Sequence, residues 1–137
     1  METANLPPWL WPRAAYLHVP FCAHHCGYCD FAVATGQDAL MDLYVEAITL
    51  EMSSLETPQR VETLFIGGGT PSYLTPDCLK LLLTAADRWL PRAADGEFTV
   101  EANPESLTTE KIAILAEHGV TRISLGAQSF HPHLLRT

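Results

Sequence analysis

An α/β fold of parallel strands under covering helices is what the sequence predicts, and three observations carry that expectation. Four short β-branched or aromatic runs alternate with three helical patterns, the signature of consecutive βαβ units. Hydrophobic residues make up 47% of the 137 and charged residues only 18%, which suits a sheet buried by helices and excludes a disordered tail or a coiled coil. Each of the four runs ends in residues of unusual chemistry, and parallel α/β architectures bind ligands where the carboxyl ends of the strands meet the loops. The length allows about one domain.

Residues 1–13, rich in Pro and Trp and without a period, read as a lead-in arm, and residues 14–137 as the core domain. The first strand is expected over 16–19. A helix follows from near Gln37 or Asp38, with Met41, Val45, Ile48, Met52 and Leu55 on its apolar side and Asp42, Glu46, Thr49 and Ser53 as the polar stripe, a 3.6-residue period. After a second strand over 61–66, the next helix has Thr75 as N-cap and Pro76 at its first position. It presents Leu79, Leu82, Leu83, Ala86 and Leu90 on one face, and Pro91 ends it. The third strand, over 98–102, precedes a helix that begins after Thr108 with Glu110 in its first turn. This helix is expected to bury Ile112, Leu115 and Ala116 and to stop at Gly119, a left-handed cap after His118. Beyond a fourth strand over 122–125 only a short tail remains, so the chain reads as the front part of a longer protein whose last strand keeps an exposed edge.

Sixteen acidic against eight basic residues give a net charge of −8 with no basic patch, which argues against nucleic acid as a partner. No apolar run approaches the roughly 18 residues of a membrane span. Glu2 and the Pro7-Pro8 pair stand where a secretory signal needs a positive start and an apolar stretch, so a cytoplasmic location is expected. Three of the four cysteines, Cys22, Cys26 and Cys29, fall within eight residues, whereas Cys78 stands alone in a helical stretch and reads as a small buried residue. Clustered thiols in a reducing compartment point to a metal site rather than to disulfides.

The strand ends hold the candidate chemistry. The C-x3-C-x2-C spacing supplies three soft thiolates from one tight loop, which suits an iron–sulfur cube with one iron left unligated by protein. With His18, His24 or His25 the same thiolates compose a closed Cys3His zinc site, and the spacing alone leaves both open. The second strand runs into Gly67-Gly68-Gly69-Thr70-Pro71, either a turn or a place where backbone closely approaches a ligand. Glu101 ends a buried-looking strand, where a carboxylate needs a partner: the two hydroxyls of a ribose, or a cap or ion pair at the loop. Gln128 has no specificity by itself, and His131-Pro132-His133 reads as a surface turn.

Taken together, these segments resemble the radical S-adenosylmethionine (SAM) superfamily, within it the branch of oxygen-independent coproporphyrinogen III dehydrogenases or oxidases. The residues that carry the resemblance are Tyr16-Leu17-His18-Val19-Pro20-Phe21-Cys22 with Cys26 and Cys29, Phe65-Ile66-Gly67-Gly68-Gly69-Thr70-Pro71-Ser72, Glu101-Ala102-Asn103-Pro104, and the run from Gly119 through Gly126 with Gln128-Ser129-Phe130. The fold it implies is the N-terminal part of a (βα)6 partial TIM-like barrel. It implies a [4Fe-4S] cluster on Cys22, Cys26 and Cys29 whose fourth iron chelates SAM, with Tyr16 and Tyr28 beside the pair. By the same resemblance Gly68, Gly69 and Thr70 approach the methionine end of SAM, Glu101 takes the ribose hydroxyls, and Gln128 completes the adenosine side. The implied chemistry is one-electron cleavage of SAM to methionine and a 5′-deoxyadenosyl radical, with a flavodoxin or ferredoxin as reductant.

Where the dehydrogenases carry a further cysteine two residues after the third cluster cysteine, this sequence has Phe31. The Tyr28-Cys29-Asp30-Phe31 form resembles the haem-chaperone (HemW-like) subgroup, which implies haem as a ligand and haem-accepting respiratory proteins as partners. Decarboxylation of porphyrinogen propionates is the alternative the same resemblance offers. Only nine residues follow Gln128, so the resemblance also implies that the strands closing the barrel are missing, that SAM binds weakly and that the fragment catalyses nothing.

Overall fold

The computed structural model describes residues 13–136. The expected lead-in arm, apart from Arg13, lies outside the described residues. Strands β1 (Ala14–Val19), β4 (Val61–Gly68), β5 (Arg92–Ala102) and β6 (Arg122–Leu125) form one sheet in that order, all parallel. A second, two-stranded ladder joins β2 (Phe21–Cys22) to β3 (Ala34–Thr35). Helices α1 (Met41–Ser53), α2 (Pro76–Trp89) and α3 (Thr109–Glu117) supply the three crossovers of the larger sheet. Neighbours in sequence are neighbours in the sheet, the strand order of a barrel wall.

Strand alternation divides the sheet into two faces. Leu17 pairs with Ile66, Ile66 with Val100 and Val100 with Ile123, and this row, with Val19, Leu64 and Phe98, turns toward the helices. Against it α1 packs Met41, Val45, Ile48 and Met52, and α2 packs Leu79, Leu82, Leu83 and Ala86. Each of those leucines contributes about 1.5–3 kcal/mol by leaving water. The opposite face carries Tyr16 beside Phe65 and Thr99, then His18 beside Gly67, and Glu101 beside Ser124. Tyr16, His18, Gly67 and Glu101, all named from the sequence, therefore share one face of the sheet.

Local chemistry sets the helix ends. Thr75 accepts from the Cys78 N–H at 3.2 Å, and Pro76 occupies the first turn, where its missing N–H costs nothing. Thr108 caps α3 by accepting from the Lys111 N–H at 3.3 Å, and Gly119, with φ +68°, ends it. A 3-10 turn over Asp38–Leu40 feeds directly into α1, so the expected start near Gln37 or Asp38 is that of the turn.

Three expectations need correction. Leu55, expected on the apolar side of the first helix, lies beyond the end of α1 and is 38% exposed. The buried side of α3 is Lys111 and Leu115, while Ile112 is 51% exposed and Ala116 is exposed too. The outer flank of α3 has no covering helix among the described residues, so the apolar period there does not translate into burial. The third strand also begins earlier than expected, because Arg92 pairs with Val61 before residues 93–96 bulge out of the ladder and pairing resumes at Glu97 with Thr63. Among the described residues no helix is long and apolar enough to cross a membrane.

Candidate functional site

Of the three clustered cysteines, Cys22 ends β2 and Cys26 and Cys29 lie on the loop between β2 and β3. The short ladder clasps its ends: Cys22 pairs with Thr35, and the Ala34 N–H donates to the Pro20 carbonyl at 2.7 Å. Inside the loop, the Cys29 N–H donates to the Cys26 carbonyl at 3.0 Å, a turn that holds the second and third thiols on one bend. All three are free thiols of intermediate exposure, whereas Cys78 is buried in α2 as expected, with its Sγ donating to Asp42 Oδ1 at 3.0 Å. Among the described residues no three His, Cys, Asp or Glu side chains converge on one point as a single ion requires. A cube takes one thiolate per iron and does not require that convergence, so the donor set of three unpaired, soft, partly exposed thiols fits an iron–sulfur cube.

His18 ties this loop to the sheet. Its Nε2 lies 2.8 Å from the Ala32 carbonyl and its Nδ1 lies 3.1 Å from the Tyr16 hydroxyl. The carbonyl only accepts, so Nε2 donates to it, and in the neutral ring this leaves Nδ1 to accept from the Tyr16 hydroxyl. Tyr44 from α1 donates to the His18 carbonyl from below, and burial pushes its phenol well above the ordinary tyrosine range. Tyr16 stacks on Phe65 with ring centroids 5.9 Å apart; burial, and then the negative charge of Glu101, raises its phenol. Tyr28 is 75% exposed on the cysteine loop, and its hydrogen bond with Cys26 raises its phenol.

The glycine run at the end of β4 accommodates the protein's own atoms. A Cβ on Gly67 would stand 2.6 Å from Glu101 Oε2, one on Gly68 2.5 Å from the His18 ring, and one on Gly69 2.6 Å from the Pro20 carbonyl oxygen. Gly68 also has φ +116°, a backbone conformation that side chains disfavour. These absences let Glu101 lie across the strand end, where it accepts from the Gly68 N–H at 3.0 Å, and let the cysteine loop settle onto β4. The Gly69 N–H donates to the Val19 carbonyl at 2.7 Å and the Thr70 N–H to the Phe21 carbonyl at 2.8 Å.

A cavity of about 190 Å3 opens beside this junction, lined by Gly69, Thr70, Glu101, Ala102, Asn103, Ser124, Leu125 and Gly126. Of the sequence-level candidates, Gly69, Thr70 and Glu101 line it and Gly68 holds the carboxylate. Gln128 is exposed and outside that lining, and a Cβ on Gly126 would stand 3.3 Å from its amide nitrogen. Asn103, which carries no role of its own in the sequence motif, lines the cavity as well. Its side chain donates to Thr70 Oγ1 at 3.2 Å and its N–H to Ser72 Oγ at 3.1 Å. The signal was present: Asn103 stands two positions after Glu101, on the same side of an extended chain.

Comparison with known proteins agrees with this geometry. The profile described as the radical SAM superfamily matches residues 16–137. Curated relatives include the haem chaperone HemW of Lactococcus lactis, 48% identical over 91% of this chain and 33% of its own length. The Bacillus subtilis HemW is 45% identical over 90% of this chain and 34% of its own, and the Escherichia coli HemW is 37% identical over 91% and 34%. Among solved structures, that of the Escherichia coli coproporphyrinogen III oxidase HemN, described as a radical SAM enzyme, superimposes with a TM-score of 0.79 at 28% identity. The match covers 92% of this chain and 30% of that one. The chain thus spans about a third of the length of the curated relatives it matches.

Proposed function

The chain belongs to the radical SAM superfamily, and on that premise we propose that it contributes the cluster-binding and SAM-binding part of a haem chaperone. Cys22, Cys26 and Cys29 hold a [4Fe-4S] cluster in this reading, with Tyr16 and Tyr28 beside it. Gly68, Gly69 and Thr70 receive the methionine end of SAM, Glu101 the ribose hydroxyls, and Gln128 the adenosine side. When bound, the cluster supplies the single electron that this cofactor's chemistry needs, from a reductant such as a flavodoxin or ferredoxin. Haem is the cargo and haem-accepting respiratory proteins its recipients.

The observation that carries the reading is the meeting of three loops at one end of the sheet. Cys22 Sγ lies 3.5 Å from Thr70 Oγ1, and Thr70 in turn shares a cavity wall with Glu101. The carboxylate is an acceptor facing open volume beside backbone, the arrangement that suits a pair of hydroxyls. Anaerobic reconstitution with iron and sulfide, followed by electron paramagnetic resonance of the reduced chain with and without SAM, tests it. A cubane signal that shifts on adding SAM is expected, and a chain that takes up zinc but no iron or acid-labile sulfide overturns it.

The likeness to the coproporphyrinogen III oxidase favours a second reading, decarboxylation of porphyrinogen propionates. Phe31, two residues after Cys29, supports the chaperone, because that is where the oxidase branch carries a further cysteine. Stoichiometric haem binding without porphyrinogen turnover, measured on a protein as long as the relatives, is expected; turnover favours the oxidase.

A further inference from the structure

Thr70 is almost fully buried, at 6% exposure, and its hydroxyl oxygen sits between two polar groups. Asn103 Nδ2 lies 3.2 Å away and Cys22 Sγ 3.5 Å away, within hydrogen-bond range for the larger sulfur atom. A hydroxyl has one proton to give. The amide nitrogen of Asn103 only donates, so it engages a lone pair of Oγ1 and leaves the proton of Thr70 to the sulfur. Once Cys22 has given up its own proton to hold iron, its sulfur is an acceptor only, and the direction of the bond is fixed.

The orienting group is itself held. Ser72 Oγ accepts from the Asn103 N–H at 3.1 Å and lies 2.6 Å from Ser106 Oγ, and Lys111 Nζ donates to the Ser72 carbonyl at 2.6 Å. The loops that follow β4 and β5 are thereby fastened to each other behind the cavity. Thr70 cannot turn from the sulfur without breaking into that set.

We propose that Thr70 is a positioning residue for the cluster: its hydroxyl, aimed by Asn103, donates to the Cys22 thiolate and raises the cluster's midpoint potential. This rests on the cluster reading above. Hydrogen bonds to the sulfurs are among the protein's means of setting the potential of such clusters. The electron that enters on reduction makes the thiolate richer in charge and a stronger acceptor. A donor there therefore stabilises the reduced form more than the oxidised one, and no atom is transferred.

The test is a mediated dithionite titration of the reconstituted chain without SAM, followed by electron paramagnetic resonance. Thr70→Val, similar in shape but without the hydroxyl, is expected to lower the reduced-to-oxidised ratio at a fixed ambient potential by on the order of tenfold, about 59 mV for a one-electron couple. Thr70→Ser is expected to keep the wild-type midpoint. Equal iron and sulfide content with an unchanged midpoint in Thr70→Val overturns the inference and leaves the cluster reading intact, whereas a wild-type chain that forms no cubane overturns both. Should Thr70→Val not load, Asn103→Ala keeps the hydroxyl but frees it to turn. A smaller drop in midpoint is then expected, and no drop overturns the inference.

Discussion

Lys111 occupies a position on α3 where the helical period calls for an apolar side chain. It is 8% exposed, and its ammonium donates to the Ser72 carbonyl at 2.6 Å and the Ser106 carbonyl at 3.2 Å, neither of them a carboxylate. Burial lowers its pKa from the ordinary lysine value, and Glu110 only partly opposes this. Lys111→Met removes the donor from a buried carbonyl and is expected to cost about 1–3 kcal/mol, read from urea unfolding at neutral pH. The pH dependence follows from the sign of the shift. Because the folded pKa lies below the unfolded one, the unfolded chain binds more protons between the two values, and the wild-type stability rises with pH through that window. The gap between wild type and Lys111→Met should widen as the pH is raised toward about 10; a gap that narrows would remove the buried ammonium from the account. No sequence pattern announces this lysine, since a single long polar residue in a helix reads as solvated until its neighbours are known.

At the scale of elements, the clearest sequence signals were those whose partners are local. Thr75 and Pro76 start α2, Thr108 and Gly119 bound α3, and Leu79, Leu82 and Leu83 of α2 reach the core, because caps and helical periods are decided within a few residues. Thr75→Ala should lower stability by about 1 kcal/mol through the lost bond to the Cys78 N–H, with Thr75→Ser retaining most of it. Equal midpoints for wild type and Thr75→Ala in thermal unfolding would show the cap to be idle. What depends on distant pairing was not legible. The β2–β3 clasp is two residues per strand, too short for any period, and exists because the cysteine loop must close. The stretch 93–96 lies outside the strand expected over 98–102 and becomes a bulge within β5 because Arg92 finds Val61 across the sheet. The glycines at the end of β4 were legible as either a turn or a close approach to a ligand, yet the atoms they approach include His18 and Glu101 as well as cavity, which only the register of β1, β4 and β5 reveals.

For the molecule as a whole, one face of the sheet is closed by three helices and the other carries the candidate site. The side beyond β6 has no strand partner among the described residues. Along that side Ile123 and Leu125 face outward from the strand, Ile112 from α3, and Phe130, 90% exposed, from the segment that follows. Ile123 pairs with Val100 and belongs to the helix-facing row, and it is left partly uncovered among the described residues. An unpaired parallel strand with apolar flanks is a template for a second chain, while a net charge of −8 pushes copies apart. These opposing effects have different ranges. The repulsion is screened within roughly 10 Å at 0.1 M salt, whereas strand pairing and apolar contact act at contact and persist. The 137-residue chain is therefore expected to self-associate with rising concentration, and more readily at 0.5 M than at 0.05 M salt, in size-exclusion chromatography with light scattering. Ile123→Lys places a charge on the open edge and should return the chain to monomer at concentrations where wild type associates. A wild-type chain that holds the monomer mass across both salts and all concentrations would mean that the apolar flank of β6 is too small to overcome repulsion even when screened.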